Sequence, residues 1–284
     1  YARKYPHTMG AWSSESKSHV AHMDAGDFYG SEKSIVMPKS ESLMIEFEGS
    51  GKQLLAENVI VEEGEIVDGA FMSKKALCAF LEQEIAQTEP GVLFSLHLKA
   101  TMMKVSDPII FGHAVTVFFA DVFEKHSKTL SRIGVDVRNG FGDLLEKISD
   151  LPEAERTAIE ADIEAAFRDG PDLAMVDSDR GITNLHVPSD IIIDASMPVV
   201  VRDSGKMWNP AGELQDTKAV IPDSSYAGVY QAVIDDCKQN GELVGNIHSK
   251  FDRIQFRQHN WQLDRVADII WSNLMWSSHA KLED

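Results

Sequence analysis

Short apolar runs alternate with amphipathic helical patterns through residues 91–240, and this alternation constrains the fold more than any other feature of the sequence. The patterns predict a buried strand from Gly91 to Leu98, a helix opening at Asp107-Pro108 and reaching about Lys125, and an acidic helix over about Pro152 to Arg168. Strands that alternate with helices usually join a parallel or mixed sheet whose faces the helices cover. The sequence therefore predicts an α/β fold built on a helix-covered mixed sheet.

Further elements are predicted on both sides of this region. A period-two pattern from Ser42, followed by a Gly49-Ser50-Gly51 turn and more strand-like residues, predicts a small antiparallel β portion near residues 42–68. The other predicted elements are a helix opening at Ser73, short strands at Leu173 to Val176 and Ile191 to Ile193, and a helix after Ser224.

Charge and composition exclude several classes of partner. The chain has 284 residues, a formal net charge of −18 at pH 7 and a pI near 4.9. Nucleic acid and anionic membrane surfaces repel so acidic a protein, and we expect neither as a partner, whereas a small anionic metabolite can still bind through local cations and a metal. The apolar runs are too short to span a bilayer. Two cysteines, Cys78 and Cys237, are too few for a disulfide framework, so we expect a cytoplasmic location.

Lys99 is the most informative single residue. It follows the predicted strand that begins at Gly91, and its apolar neighbours disfavour a charged side chain. Partial desolvation lowers the pKa of a lysine and suits it to proton transfer, and ligands of α/β sheets usually bind at strand ends. A lysine that extends to solvent or pairs with a carboxylate fits the same pattern. Both interpretations stay open at this point.

Two aspartate-containing segments also follow predicted strands. Asp194 comes directly after Ile191-Ile192-Ile193, a position that suits either a metal ligand or a turn or cap residue. In Asp177-Ser178-Asp179-Arg180-Gly181, two carboxylates could share a cation and Arg180 could bind an anion. The same five residues are also ordinary turn chemistry.

The histidines and cysteines give weaker signals. His19 and His22 are three residues apart and could share a helix face, but no third ligand follows at a metal-binding spacing. Cys78 lies on the apolar side of a predicted helix, where we expect it to pack in the core. The zinc-binding His-Glu-x-x-His, G-x-G-x-x-G, Walker and nucleophile-elbow motifs are missing from the sequence.

Four longer segments are more specific than any of these single residues. They are Ser16 to Lys33, which begins SKSHVAHMD; Gly91 to Ala114, GVLFSLHLKATMMKVSDPIIFGHA; Pro171 to Pro198, PDLAMVDSDRGITNLHVPSDIIIDASMP; and Asp216 to Tyr226, DTKAVIPDSSY. These four matching segments closely resemble the monomeric-type NADP-dependent isocitrate dehydrogenases of bacteria. The resemblance covers roughly residues 1–243, in order and without a large gap.

The resemblance implies a reaction, cofactors and two site residues. Isocitrate would be oxidised and decarboxylated to 2-oxoglutarate, NADP⁺ would take a hydride from its C2 carbon, and Mg²⁺ or Mn²⁺ would bind its hydroxyl and carboxylate. Lys99 matches the family's catalytic lysine, which assists proton transfer at the substrate. Asp194 matches one of the family's metal-ligating aspartates. For both residues, the resemblance favours function over the structural interpretation.

The resemblance also implies that only part of a site is present. Family members are more than twice as long, and this chain resembles a middle piece of their large domain. Their substrate-clamping residues would lie upstream, the other metal aspartates and the NADP-binding residues would lie downstream, and their catalytic tyrosine falls near Asp264. We expect residues 1–243 to be part of the large domain and residues 244–284 to be a divergent, Trp-rich tail. The intact family enzyme is expected to be a monomer.

Two other classes of function remain open at the level of sequence. The chain could be a non-catalytic fragment that acts as a protein-binding or assembly module through exposed core surfaces and its Trp-rich tail. From residue types alone, Asp177-Ser178-Asp179 is also compatible with a metal-dependent transferase that uses nucleotide-sugar donors.

Overall fold

The computed structural model describes residues 10–98, 105–188 and 193–241, without the side chains of residues 193–195 and 226. The strands are β1 (His19–Ala21), β2 (Lys33–Val36), β3 (Glu41–Glu48), β4 (Lys52–Val61), β5 (Ile66–Gly69), β6 (Leu93–Leu96), β7 (Met175–Asp177), β8 (Ile182–Thr183), β9 (Lys206–Trp208) and β10 (Leu214–Val220). The helices are α1 (Phe28–Ser31), α2 (Lys74–Ala86), α3 (Ser106–Phe118), α4 (Ala120–Lys125), α5 (Ser127–Ile133), α6 (Phe141–Ile148), α7 (Glu153–Asp169), α8 (Ile193–Arg202) and α9 (Ser224–Asn240).

The main sheet is organised on β10. The last residues of this strand pair in parallel with β1 along one edge and with β6 along the other. Its first three residues, from Leu214 to Asp216, pair antiparallel with β9, which continues the sheet to β7 and β8. The sheet is therefore mixed, and the predicted α/β class is confirmed.

Helices cover both faces of this sheet. Successive residues of a strand point to opposite faces, so neighbouring residues of β10 belong to different layers. On one face, which we call the α3 face, Val220 of β10 packs in a large core with Phe94 of β6 and residues of α2 to α7. On the other, the α8 face, Ala219 packs in a second core with Val20 of β1 and residues of α8 and α9.

Phenylalanine rings fill the centre of the α3 face. The ring of Phe119 stacks on Phe141 with centroids 4.3 Å apart, and meets Phe118 and Phe167 edge to face at 4.9 and 5.3 Å. Adjacent residues of a regular helix point about 100° apart. A break at Phe119, where α3 ends and α4 begins, lets both neighbouring rings enter the core. The single helix predicted to reach Lys125 is therefore two helices.

Most of the other predicted elements are confirmed, and the strand predicted at Leu173 to Val176 is found as β7, Met175–Asp177. A hairpin of β3 and β4 and a pairing of β2 with β5 form the antiparallel portion. Helix α2 is capped by the Ser73 side chain, α7 lies within one residue of its predicted range, and α9 begins at Ser224, after which a helix was predicted. Helix α3 begins at Ser106 instead of after an Asp107 cap, and α5 and α6 were not predicted. In the described part of the chain, no helix combines the length and apolar character needed to cross a membrane.

A buried ion pair joins the sheet to α2 on the α3 face. The Lys218 side chain on β10 is 4% exposed, and its Nζ lies 2.9 Å from a Glu84 carboxylate oxygen. The same ammonium group donates to the Glu84 main-chain oxygen at 3.0 Å. Because the charge is removed from water, its two partners on α2 are needed to offset the cost of desolvation.

Removal of one ion-pair partner is expected to destabilise the fold more than removal of both. Lys218→Met leaves the Glu84 carboxylate without its cation, and we expect a loss of about 3 kcal/mol in the free energy of unfolding. The double variant Lys218→Met/Glu84→Met should recover most of that loss, because no buried charge then remains unpaired. Urea titrations of the three chains measure the difference, and equal stability of the single and double variants would contradict the prediction.

Candidate functional site

Three parallel strands end together at one edge of the sheet. In the strand register, Ala21 of β1 lies beside Val220 of β10, which lies beside Leu96 of β6. The chain therefore leaves all three strands at the same level, and ligands of open α/β sheets usually bind at such carboxyl ends. These strands belong to the first, second and fourth matching segments. We call this region the carboxyl edge.

His97 brings the remaining matching segment to the carboxyl edge. Its main-chain N–H donates to the Val220 oxygen at 2.8 Å, which extends β6 by one residue. Its imidazole is buried, with Nε2 3.0 Å from Ser95 Oγ and Nδ1 3.0 Å from Ser196 Oγ in α8. Burial lowers the pKa of His97 to about 4, so the ring is neutral at physiological pH.

Asn184 makes a second connection between the matching segments. Its side-chain oxygen accepts from the Leu96 N–H at 2.6 Å, and its side-chain amide donates to the Leu96 oxygen at 3.1 Å. The Asn184 main-chain N–H donates to Ala174, just before β7. The Asn184 side chain thus pairs with the main-chain N–H and oxygen of Leu96, as a neighbouring strand would. These two bonds fix the position at which β6 ends.

Two aspartates join the N-termini of α1 and α9 beside the same edge. Asp27, which is 1% exposed, accepts from the Gly30 N–H in α1 and from both the N–H and the hydroxyl of Ser224 in α9. Asp223 in turn accepts from the Tyr29 N–H of α1. Burial alone would raise the pKa of Asp27, but the bonds from Ser224 and Gly30 lower it overall. Burial raises the pKa of Asp223, and the neighbouring Asp27 adds to that effect.

The two predicted site residues, Lys99 and Asp194, lie close in sequence to the residues that meet at the carboxyl edge. Lys99 lies outside the described residues, two positions after His97. The backbone of Asp194 lies in the first turn of α8, two positions before Ser196, and its side chain is outside the description. The hydrogen bond between His97 and Ser196 therefore joins the two segments that carry Lys99 and Asp194.

The strand predicted at Ile191 to Ile193 is wrong where the structure describes it. Ile193 is the first residue of α8, so Asp194 belongs to a helix and not to the end of a strand. Three consecutive branched residues favour a strand, but Met197, Val200 and Val201 follow at helical spacing and pack into the core of the α8 face. Tertiary burial of that stripe outweighs the local β propensity.

The segment from Asp177 to Gly181 is a turn. The strands β7 and β8 pair across it, Asp177 accepts from the Arg180 N–H at 3.2 Å, and Gly181 takes a positive φ of 68°. The structural interpretation thus accounts for these residues. Within residues 10–98, 105–188 and 193–241, no group of three or more His, Cys, Asp or Glu side chains is placed to hold a metal ion.

The histidines and cysteines that gave weaker signals in the sequence make main-chain contacts or lie in helices. His19 lies in strand β1, so the helix face predicted for His19 and His22 does not exist. The Nδ1 atoms of these two rings lie 2.8 Å from Lys17 O and 2.9 Å from Met23 O. Cys78 is half-buried in α2, where burial raises the pKa of its thiol, and Cys237 is fully buried in the α8 face.

A single carboxylate on α8 is not a complete site for a divalent ion. Mg²⁺ and Mn²⁺ bind several oxygen ligands, and Asp194 supplies the chemistry of one of them. The position is compatible with that role, because the N-terminal turn of a helix bears main-chain N–H groups that favour a carboxylate in its charged form. A metal-binding role for Asp194 would therefore need further oxygen ligands from other residues.

Comparison with known proteins shows the family. The model of the monomeric isocitrate dehydrogenase family matches residues 1–249, which is most of the chain. The chain is 60% identical over 245 residues to the NADP isocitrate dehydrogenase of Azotobacter vinelandii and 57% identical over 244 residues to NADP isocitrate dehydrogenase 2 of Colwellia maris. It is 50% identical over 246 residues to NADP isocitrate dehydrogenase 2 of Mycobacterium tuberculosis. The chain belongs to the monomeric isocitrate dehydrogenase family.

The match covers most of this chain but a smaller share of its relatives. For the Azotobacter and Colwellia proteins it includes 85% of this chain, and for the Mycobacterium protein 86%. It includes 33% of each relative, so the chain spans about a third of the length of the curated relatives it matches.

Sequence reasoning missed the side chains that assemble the carboxyl edge. His97, Asn184 and Asp27 lie within the matching segments, but none carries a recognised motif. One signal was available for His97, because the two-residue period of the predicted strand, continued by one residue to Lys99, places His97 and Lys99 on the same face. Its partner on α8 could not be inferred while a strand was predicted there.

The stability of the chain should depend on pH through His97. The unfolded histidine takes up a proton near pH 6.5, whereas burial delays protonation in the folded chain to about pH 4. The unfolded state thus binds more protons between these values, so this contribution to stability is complete above pH 6.5 and is lost as the pH falls towards 4. From about pH 7.5 to about pH 5.5 we expect a loss of about 1 kcal/mol. Urea titrations at both pH values measure this loss. The His97→Asn chain has no titratable group at this position, so its stability should fall less by that amount.

Asp27 should be more important for stability than its sequence context suggests. Asp27→Ala leaves the N–H groups of Gly30 and Ser224 without their acceptor, and we expect unfolding to become easier by roughly 2 to 3 kcal/mol. The nearby exposed Asp24 provides the control, since Asp24→Ala should change stability by no more than about 0.5 kcal/mol. Thermal unfolding followed by circular dichroism compares them, and similar effects of the two variants would contradict the proposed caps.

Proposed function

We propose that this chain supplies part of the active site of an NADP-dependent isocitrate dehydrogenase that converts isocitrate to 2-oxoglutarate with Mg²⁺ or Mn²⁺. One observation supports the proposal most directly. The four matching segments, which are far apart in the sequence, converge at the carboxyl edge through strand register and the hydrogen bond between His97 and Ser196. Convergence at a strand end is expected of segments that share a ligand site.

We assign Lys99 to proton transfer. The second matching segment carries it just beyond β6, whose end is anchored by Asn184 on one side and Val220 on the other. A lysine at such a place can hold or deliver a proton when its pKa suits the task. In the proposed reaction it would accept the proton of the isocitrate hydroxyl or deliver a proton to the enolate that follows loss of carbon dioxide. NADP⁺, when bound, accepts the hydride.

We assign Asp194 to the divalent ion. The ion, when bound, supplies a positive charge that stabilises the developing negative charge on the substrate oxygen. Asp194 would contribute one carboxylate oxygen to it from the first turn of α8. The core of the α8 face holds this helix through Met197, Val200 and Val201, so the carboxylate is attached to a packed element.

The remaining parts of the site would come from sequence that this chain does not span. A complete site needs further metal carboxylates, groups that bind the substrate and a nicotinamide pocket, and the relatives are three times as long as the matched region. We propose that residues 1–243 belong to the large domain, consistent with a family match that ends at residue 249. Residues 244–284 would then be a separate, Trp-rich tail. We propose that the intact protein is a monomer that acts on isocitrate in the cytoplasm.

An observation also favours the non-catalytic alternative. The β3–β4 hairpin exposes large apolar side chains, among them Met44, Phe47 and Ile60, with exposed fractions of 63%, 55% and 69%. An apolar surface of this kind usually contacts other protein. If the isolated chain serves as an assembly module, sedimentation should show stable oligomers or a complex, and Phe47→Glu with Ile60→Lys should return it to a monomer.

A chimera tests the catalytic proposal. Residues 1–243 replace the matching third of the Azotobacter vinelandii relative, and NADP⁺ reduction by isocitrate is measured with Mn²⁺. We expect activity, and a loss of about 100-fold or more in kcat for Lys99→Met, because general acid–base catalysis typically contributes that much. The exposed Lys128 of α5 gives the matched control, since Lys128→Met should leave kcat unchanged. A folded but inactive chimera, or full activity of Lys99→Met, would overturn the proposal.

A further inference from the structure

His97 occupies the junction between two parts of the proposed site. It is the first residue after β6, 4% exposed, and it faces the α8 side of the sheet together with Ser95. Its Nδ1 contacts Ser196 in the first turns of α8, and its Nε2 contacts Ser95 in β6. The imidazole therefore bridges the strand that leads to Lys99 and the helix that carries Asp194.

Near its C-terminal end, α8 is held by hydrogen bonds such as that from the Trp12 indole N–H to the Val201 oxygen at 3.0 Å, and along its length it is held by apolar packing. Met197, Val200 and Val201 pack against apolar residues such as Ala219 and Ile221. Apolar burial is non-directional, and it tolerates a small sliding of the helix. The bond from His97 to Ser196 is directional, with a narrow range of distance and angle. It can set the distance between the start of α8 and the end of β6.

The chemistry of the bridge requires a neutral ring. A neutral imidazole has one N–H donor and one acceptor nitrogen, and a serine hydroxyl can serve either. Ser95, His97 and Ser196 can thus satisfy one another with either tautomer and without a charged partner. An imidazolium would instead present two donors and bury a charge in an apolar layer, which is unfavourable.

We propose that His97 is a positioning residue, which through its bond to Ser196 holds the start of α8, the helix that carries Asp194, at its working distance from the end of β6. The inference rests on the proposed function, because Lys99 and Asp194 have roles only there. His97 acts through Ser196 and does not itself contact the substrate or the metal. Misplacement by about 1 Å is enough to lower the rate of an enzyme many-fold.

Two amide substitutions separate the halves of the bridge. Asparagine places its amide near the position of Nδ1, so His97→Asn can keep the bond to Ser196. Glutamine reaches the position of Nε2, so His97→Gln can keep only the bond to Ser95. In the chimera with the Azotobacter relative, we expect His97→Gln to weaken Mn²⁺ binding and lower kcat, each by about tenfold. His97→Asn should change both by much less.

Ser196 completes the test. Ser196→Ala should reproduce the effect of His97→Gln, and the double variant should be no worse than either single variant, because both remove the same bond. Ser95→Ala should have a smaller effect. Mn²⁺ binding is measured without substrate from the electron paramagnetic resonance signal of the free ion, and kcat from NADP⁺ reduction.

A second histidine controls for loss of stability alone. His126, between α4 and α5, has its Nε2 2.8 Å from Asp162, and both residues lie outside the four matching segments. His126→Asn should lower the melting temperature and leave Mn²⁺ binding unchanged. Folded His97→Gln and Ser196→Ala chimeras with unchanged Mn²⁺ binding and kcat would overturn the inference. An inactive unmodified chimera would instead overturn the proposed function, and this inference with it.

Discussion

The parallel pairing of β10 with β1 and β6 is the constraint on which the rest of the structure depends. Because the last residue of each strand lies level with the others, three chain segments emerge at one edge. The first hydrogen bonds beyond the strands start from this common level, where the His97 N–H donates to Val220 and the Ile221 N–H donates to Ala21. A shift of one residue in register would point each side chain to the opposite face.

The two faces of β10 are held by different interactions. On the α3 face, the ion pair between Lys218 and Glu84 attaches α2 to the strand, and packed phenylalanine rings fill the centre of the core. On the α8 face, α8 is attached by apolar packing along its length and by hydrogen bonds near both ends, where Ser196 meets His97 and the Trp12 indole donates to Val201. The proposed site lies where the second face reaches the carboxyl edge, so its geometry combines a directional bond with non-directional packing.

Local patterns predicted much of the fold because most of these elements bury one regular stripe. Helices α2, α7 and α9 and strand β6 each have a periodic apolar pattern, and all four were predicted near their observed bounds. The failures occur where the tertiary structure outweighs local preference. Phe118 and Phe119 both enter the core, which divides a predicted helix, and α8 begins within a run of isoleucines that favours a strand.

The sequence by itself determined the class of fold and the family, because both depend on order and residue type along the chain. It also singled out Lys99 and Asp194, through their positions in the matching segments. Only the tertiary structure decided that His97 meets Ser196 across 99 positions and that Asn184 completes the end of β6 across 88. Contacts between residues so far apart in the sequence depend on strand register and on how α8 packs against the sheet. Neither can be inferred from a local sequence pattern.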